Sequence, residues 1–228
     1  MSDPFILLLL IGLPLISQMV AGRLRARFAR FSRDPMPLSG REIAERMLAE
    51  NGLSDVRIIS TAGQLTDHYN PRDKTVNLSE VVYSRSNVAA AAVAAHECGH
   101  AIQHATRYPF LTARSKLVPL LKLSNTVLPL LAIGGSGLFA YLGSSLLAYA
   151  FIGILALPAL FSLVTLPVEF DASRRALAWM EGTGLAVGAK QAGAKNALFW
   201  AAMTYVVAAL GSIAQVLYFA RFFLRGRR

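Results

Sequence analysis

The sequence has little cysteine and little acidic charge. Its one cysteine, Cys98, excludes an internal disulfide and fits a reducing or disulfide-free setting. Charged residues make up only 16% of the chain and hydrophobic residues 54%, which is too apolar for an ordinary soluble domain. The 13 acidic residues leave a net charge of +10. Because the basic residues flank apolar runs and form no recognisable nucleic-acid-binding motif, we expect a lipid bilayer as partner and no nucleic acid.

Long stretches without charge predict an integral membrane protein with about four transmembrane helices. No charged residue occurs between Lys122 and Glu169, which leaves room for two membrane crossings joined by a short loop near Leu142–Ser145. The predicted spans are residues 5–22, a hairpin of two helices over 126–167, and residues 197–220, followed by a basic tail at 221–228. A cleaved signal peptide is the alternative for the first run, but no positive charge precedes it.

Residues 23–122 predict a small α+β domain. Arginines from Arg23 to Arg33 alternate with apolar residues, so this stretch either lies along the membrane surface or marks the end of the first span. Ser39 and Glu42 have the spacing of a capping box at a helix start. The elements predicted after the arginines are a helix over 40–50, a strand-like run at 56–59, and a hairpin formed by 64–69 and 74–78.

The motif H-E-x-x-H, from His96 to His100, is the strongest indication of function in the sequence. The Ala-rich run 87–95 before it favours a helix, in which residues four apart lie on nearly the same face and can share one zinc ion. Glu97 lies about 100° round such a helix, where it can reach a metal-bound water without ligating the metal. His104 lies about 12 Å beyond His96 along the axis, so the third ligand must come from elsewhere. The alternative is a pair of packed, hydrogen-bonded histidines.

Glu169 is the candidate third ligand, on the segment 168–196 that follows the predicted hairpin. A hairpin of two spans returns the chain to the face it left, so this segment can meet His96 and His100. A carboxylate there could instead cap a helix or pair with an arginine. Two imidazoles and a carboxylate would leave a zinc ion one open position, as in catalytic sites. Asp171 or Ser173 could then hydrogen-bond a ligating histidine, and the sequence does not choose between them.

Four blocks of the sequence resemble the YugP-type membrane zinc metallopeptidases of bacteria, which are gluzincin-like. The blocks are 65–72, 76–80, 92–104 and 166–175, and the last two are the specific ones. The resemblance implies a zincin-like catalytic domain, with His96, His100 and Glu169 as zinc ligands and Glu97 as the catalytic carboxylate. The wider gluzincin relatives often carry an acid four residues after the ligand Glu, where this chain has Ser173.

The function expected is zinc-dependent hydrolysis of peptide bonds, with Glu97 as general base and endopeptidase activity. Peptides or proteins are the expected substrates, membrane proteins among them. His68 and Tyr69 are candidates for stabilising the oxyanion. Two alternatives are a non-catalytic membrane scaffold or metal sensor with a structural zinc, and an intramembrane site-2 type protease. The apolar run before His96 is too short to span a bilayer, and structural zinc would not require Glu97.

The distribution of basic residues predicts the orientation. With four spans, the tail holds four of the 23 Lys and Arg residues, and all the others lie on the side of the metal site. The positive-inside rule then places the active site in the cytoplasm of a bacterial cell, in a multi-pass inner-membrane protein. If the fourth apolar run does not cross fully, the tail is cytoplasmic as well.

Overall fold

The computed structural model of this chain describes residues 4–142 and 145–225. Within them the fold is mostly helical, with one small sheet, as the sequence predicts. In chain order the elements are α1 (Pro4–Leu7), a π-helical turn (Leu8–Gly12), α2 (Leu13–Phe31), α3 (Gly40–Glu50), β1 (Arg57–Thr61), β2 (His68–Asn70), β3 (Thr75–Ser79), α4 (Glu80–Ser84), α5 (Val88–Ala105), α6 (Pro109–Leu142), α7 (Ser145–Gly182) and α8 (Ala189–Arg225).

Three helical segments of the described residues are long and apolar enough to cross a membrane. They are Phe5–Phe31, Leu147–Gly182 and Ala189–Phe223, and they contain the first, third and fourth predicted spans. The predicted second span begins within α6, which is helical to Leu142. The loop predicted near Leu142–Ser145 contains residues 143 and 144, which lie outside the described residues. A total of four spans therefore stays a prediction.

The helices extend beyond the apolar runs. The arginine stretch continues α2 without a break as far as Phe31, so it is not a helix separate from the predicted first span. Segment 168–196 likewise comprises the end of α7, a connection over 183–188 and the first turns of α8. The helices continue into polar sequence because backbone hydrogen bonds do not require apolar side chains. α7 ends at Gly182, and the next glycine, Gly184, has a φ of +70°, a left-handed conformation that favours glycine.

The described residues form two compact units. The first consists of the described parts of Met1–Met19, Ala113–Leu166 and Thr204–Arg228. In it, the Ser124 hydroxyl donates to the Ile154 carbonyl oxygen across 3.1 Å, which joins α6 to α7. Phe151 on α7 packs edge to face on Phe219 of α8, with ring centroids 5.1 Å apart. This unit therefore consists of packed apolar helices.

The second unit, Val20–Thr112 and Pro167–Met203, contains the sheet. The strand order is β1-β3-β2, with β3 in the centre. β2 and β3 pair antiparallel, which confirms the predicted hairpin, and β1 adds to β3 in parallel. The predicted strand over 64–69 is wrong in extent, because β2 begins only at His68. Leu65, within the predicted strand, has a φ of +57°, which the extended backbone of a strand does not allow.

Helix α3 covers one side of α5 in this unit. Its predicted capping box is confirmed, because the Ser39 backbone N–H donates to Glu42 Oε2 at 2.7 Å and the Glu42 N–H donates to Ser39 Oγ at 3.3 Å. Ile43 and Met47 are fully buried at the contact with α5. The alanines of α5 have little side chain, so α3 approaches closely and the Cys98 thiol, itself buried, donates to the Ala44 carbonyl oxygen across 3.8 Å.

Candidate metal centre

Helix α5 carries the H-E-x-x-H motif. Asn87 caps the start of the helix, and its side-chain oxygen accepts a hydrogen bond from the Ala90 backbone N–H at 2.9 Å. Alanine is the strongest helix former, and four of the six residues from Val88 to Val93 are alanines. Most of the helix is buried, so it is a rigid support for His96 and His100, one turn apart.

The structure brings His96, His100 and Glu169 together. His96 Nε2 lies 3.3 Å and His100 Nε2 lies 3.6 Å from the same oxygen, Glu169 Oε2. One donor atom from each residue lies within 4.8 Å of the other two, and the Glu169 side chain is only 4% exposed. The three side chains that the sequence selected as ligands thus meet at one point, although 73 residues separate His96 from Glu169 in the chain.

Gly99 allows α7 to approach the motif closely. A Cβ atom built on Gly99 would lie 2.7 Å from the Ala172 carbonyl oxygen, closer than real Cβ atoms are found, and 3.1 Å from the Ala172 Cα, which is a tight contact. These are backbone atoms, which cannot move without moving the helix. Ala172 lies between Glu169 and Ser173, so the absence of a side chain at Gly99 keeps Glu169 within reach of both histidines.

The outer ring nitrogens of the two histidines also have partners. Ser173 Oγ lies 3.1 Å from His96 Nδ1, and Gln103 Oε1 lies 3.0 Å from His100 Nδ1. Of the two candidates for such a contact, Ser173 touches a histidine directly, whereas Asp171 contacts Gln103 instead. Gln103 was not identified from the sequence. Gln103 lies three residues after His100 on the same helix, a spacing that puts the two side chains side by side. This spacing could have indicated the contact.

Glu97 is buried beside the cluster, with 7% of its surface exposed. Burial raises the pKa of its carboxyl, while the nearby His96 and His100 act in the opposite direction. A further carboxylate, Asp67, lies close enough to raise the pKa of Glu97 and was not identified from the sequence. Asp67 Oδ1 accepts hydrogen bonds from the backbone N–H of Ser79 at 2.7 Å and from its hydroxyl at 3.0 Å, which holds the residue just before β2.

The two oxyanion candidates contact other groups. The Tyr69 hydroxyl lies 2.9 Å from Nδ1 of His104, which is about one turn of α5 beyond His100. His68 Nδ1 lies 2.8 Å from the Thr66 carbonyl oxygen. Neither belongs to the cluster of possible metal ligands among the described residues. Their role in catalysis stays a prediction. His104, set aside as a ligand for the same zinc ion, is likewise outside the cluster.

The donor set fits zinc. Catalytic zinc is commonly held by three protein ligands of nitrogen and oxygen type, and two histidines with one glutamate are a known combination. Ligating histidines almost always hydrogen-bond through their other ring nitrogen, as His96 does with Ser173 and His100 with Gln103. The cluster therefore has both the donors and the supporting contacts of a metal site.

Comparison with known proteins agrees with this geometry. Residues 5–224 match the family described as "Putative neutral zinc metallopeptidase". Over 189 residues the chain is 42% identical to the "Putative membrane protease YugP" of Bacillus subtilis, covering 83% of this chain and 82% of that protein. No solved structure matches. The match confirms the resemblance stated from the sequence, and together with the three apolar helices it supports a membrane location. The chain belongs to this zinc metallopeptidase family, and its cofactor is zinc.

Proposed function

We propose that this protein hydrolyses peptide bonds at a zinc site formed by His96, His100 and Glu169, with Glu97 as the general base. One observation carries the proposal: His96 Nε2 and His100 Nε2 both face Glu169 Oε2, within 3.6 Å, beside the buried carboxylate of Glu97. The Glu169 carboxylate comes from a different helix, so the cluster is not merely two neighbouring histidines on α5.

Glu97 moves the proton in the proposed reaction. Zinc, when bound, supplies a Lewis acid that makes a water molecule more acidic and polarises a carbonyl group. Glu97 accepts the proton of the attacking water as the new C–O bond forms. It then passes this proton to the amine nitrogen, so that the peptide C–N bond breaks and a neutral amine leaves. Burial raises the pKa of Glu97, which makes its carboxylate a stronger proton acceptor than an exposed one.

The proposed substrate is an extended peptide segment that is cut internally. β2 is an outer strand of the sheet and leads directly from Asp67, near Glu97. An outer strand offers unpaired backbone N–H and C=O groups to which an extended peptide can add. Peptides that are N-methylated at alternate positions lack some of the backbone N–H donors needed for pairing with β2, so they should be cleaved more slowly. Unchanged cleavage of all these peptides would exclude binding along β2.

The zincin-like α+β part is proposed to sit on the cytoplasmic face of a bacterial inner membrane, held by four spans. The basic residues outside the tail support this orientation. A reporter enzyme that is active only outside the cytoplasm, fused after Arg228, should then be active. An inactive reporter in a stably expressed fusion would contradict the four-span arrangement.

The two alternatives are not favoured. A structural zinc site would not need the carboxylate of Glu97, and the family and its relative are described as a peptidase and a protease. An intramembrane protease would carry its motif within a membrane-spanning helix. α5 is not among the three segments of the described residues that could cross a bilayer.

Removal of zinc tests the proposed function directly. The purified protein in detergent should contain one equivalent of zinc and cleave an unstructured protein such as casein. A chelator should abolish both, because the site's donors then have no metal to activate water. Added zinc should restore cleavage. Full activity in a protein shown by elemental analysis to be free of metal would refute zinc-dependent hydrolysis.

A further inference from the structure

Gln103 is a fully buried amide on α5, one turn after the His100 ligand, with none of its surface exposed. Its side-chain nitrogen donates to the Val168 carbonyl oxygen at 2.8 Å and to Asp171 Oδ2 at 2.9 Å. Its oxygen lies 3.0 Å from His100 Nδ1. Both amide protons and the amide oxygen are therefore used, and every contact is to α5 or α7.

These contacts fix which way the amide points. A carbonyl oxygen and a carboxylate oxygen can only accept hydrogen bonds, so the Gln103 group facing Val168 and Asp171 must be the NH2. The reversed amide would place its oxygen against two acceptors. Gln103 Oε1 therefore faces His100, and it can only accept.

The orientation of Gln103 in turn fixes the tautomer of neutral His100. Because Gln103 Oε1 only accepts, His100 Nδ1 must carry the proton. The lone pair of the neutral ring is then on Nε2, the nitrogen that faces Glu169. A ligating imidazole must present an unprotonated nitrogen to the metal, so Gln103 selects the tautomer that can bind it.

Asp171 anchors the amide from the other side. Its Oδ2 also accepts from Arg175 Nε at 2.6 Å, and its Oδ1 accepts from Arg174. The guanidinium of Arg175 lies over the ring of Tyr108, 5.9 Å from the centroid. With both oxygens engaged by cations, Asp171 is held as a carboxylate, the form that accepts from Gln103.

We infer that Gln103 is a positioning residue that sets the His100 tautomer and holds His100 in register with the Glu169 backbone, with Asp171 as its anchor. Val168, which accepts from Gln103, directly precedes Glu169. One amide thus links two zinc ligands that lie on different helices. This inference rests on the proposed zinc site at His96, His100 and Glu169, and it assigns Gln103 no contact with substrate.

The first test uses the unaltered protein with one equivalent of zinc bound. With ¹⁵N-labelled histidine, the ring nitrogens of the four histidines report by NMR which nitrogen of each ring carries a proton. The His100 signals are those that disappear in His100→Ala. We expect His100 with the proton on Nδ1. A proton on Nε2 would overturn the inference, and this measurement requires no change at Gln103.

The second test compares variants by zinc affinity and tautomer. Gln103→Leu removes the acceptor at Nδ1 and leaves Glu169 as the acceptor facing His100. In the zinc-free variant the proton should therefore move to Nε2, and zinc affinity should fall about 10- to 100-fold. Gln64→Leu, at an exposed glutamine, is the matched control and should change neither quantity.

The outcomes separate this inference from the proposed function. If Gln103→Leu folds and binds zinc as tightly as the unaltered protein, with the same His100 tautomer, the positioning role is wrong while the zinc site stands. If His100→Ala binds zinc as tightly as the unaltered protein, the proposed site itself is wrong.

Discussion

Glu97→Gln should keep zinc bound and lower peptide hydrolysis about 10²- to 10⁴-fold, the usual contribution of a positioned general base. Glutamine has nearly the shape of glutamate, so it fits the same buried position, but its amide cannot take a proton from water. Glu97 is not one of the three side chains whose donor atoms form the metal cluster. The metal content should therefore stay near one equivalent, and the loss should appear in kcat rather than in zinc affinity.

The measurement is casein or peptide cleavage beside elemental analysis of the same preparation. Glu80→Gln is the matched control, because Glu80 is an exposed glutamate of the same unit, at the start of α4. It should retain both activity and zinc. Cleavage by Glu97→Gln at the unaltered rate would exclude Glu97 as the base, and loss of zinc from this variant would indicate that Glu97 acts on the metal instead.

Local patterns of the sequence predicted much of the fold. Ser39 and Glu42 predicted the start of α3, because a capping box depends on residues only three apart. The H-E-x-x-H helix follows from alanine content and spacing for the same reason. Helix ends were predicted less well. The apolar run that precedes Glu169 ends at Val168, but helix α7 continues through Glu169 to Gly182, because backbone hydrogen bonds do not depend on side-chain polarity.

The supporting contacts of the site needed the structure. The choice between Asp171 and Ser173 depends on which way α7 is turned towards α5, and their close spacing in the sequence leaves that rotation open. In the structure both are used, Ser173 on His96 and Asp171 on Gln103. The role of Gln103 depends on three hydrogen bonds, two of them to residues at least 65 positions away. Asp67 shows the same limit, since its proximity to Glu97 arises from how the sheet packs beside α5.

Glu169→Gln should remove the effect of zinc on stability. Anything that binds only the folded protein stabilises it, by about 2.7 kcal/mol when the free ligand is at 100 times its Kd. The unaltered protein should therefore melt at a clearly higher temperature with zinc than with chelator. The amide of glutamine carries no charge and is a poor zinc ligand, so the variant should melt at nearly the same temperature in both conditions and should not cleave casein.

Glu181→Gln is the matched control for this change, because Glu181 is an exposed glutamate on the same helix, α7. It should keep the full zinc-dependent rise in melting temperature. A direct zinc titration of Glu169→Gln completes the comparison, and affinity more than about 100-fold weaker is expected, beyond the loss typical of a supporting residue. A Glu169→Gln protein that gains as much stability from zinc as the unaltered chain would mean that the third ligand is another residue. It would also mean that the approach of α7 at Gly99 serves packing alone, since Glu169 reaches the histidines only through that contact.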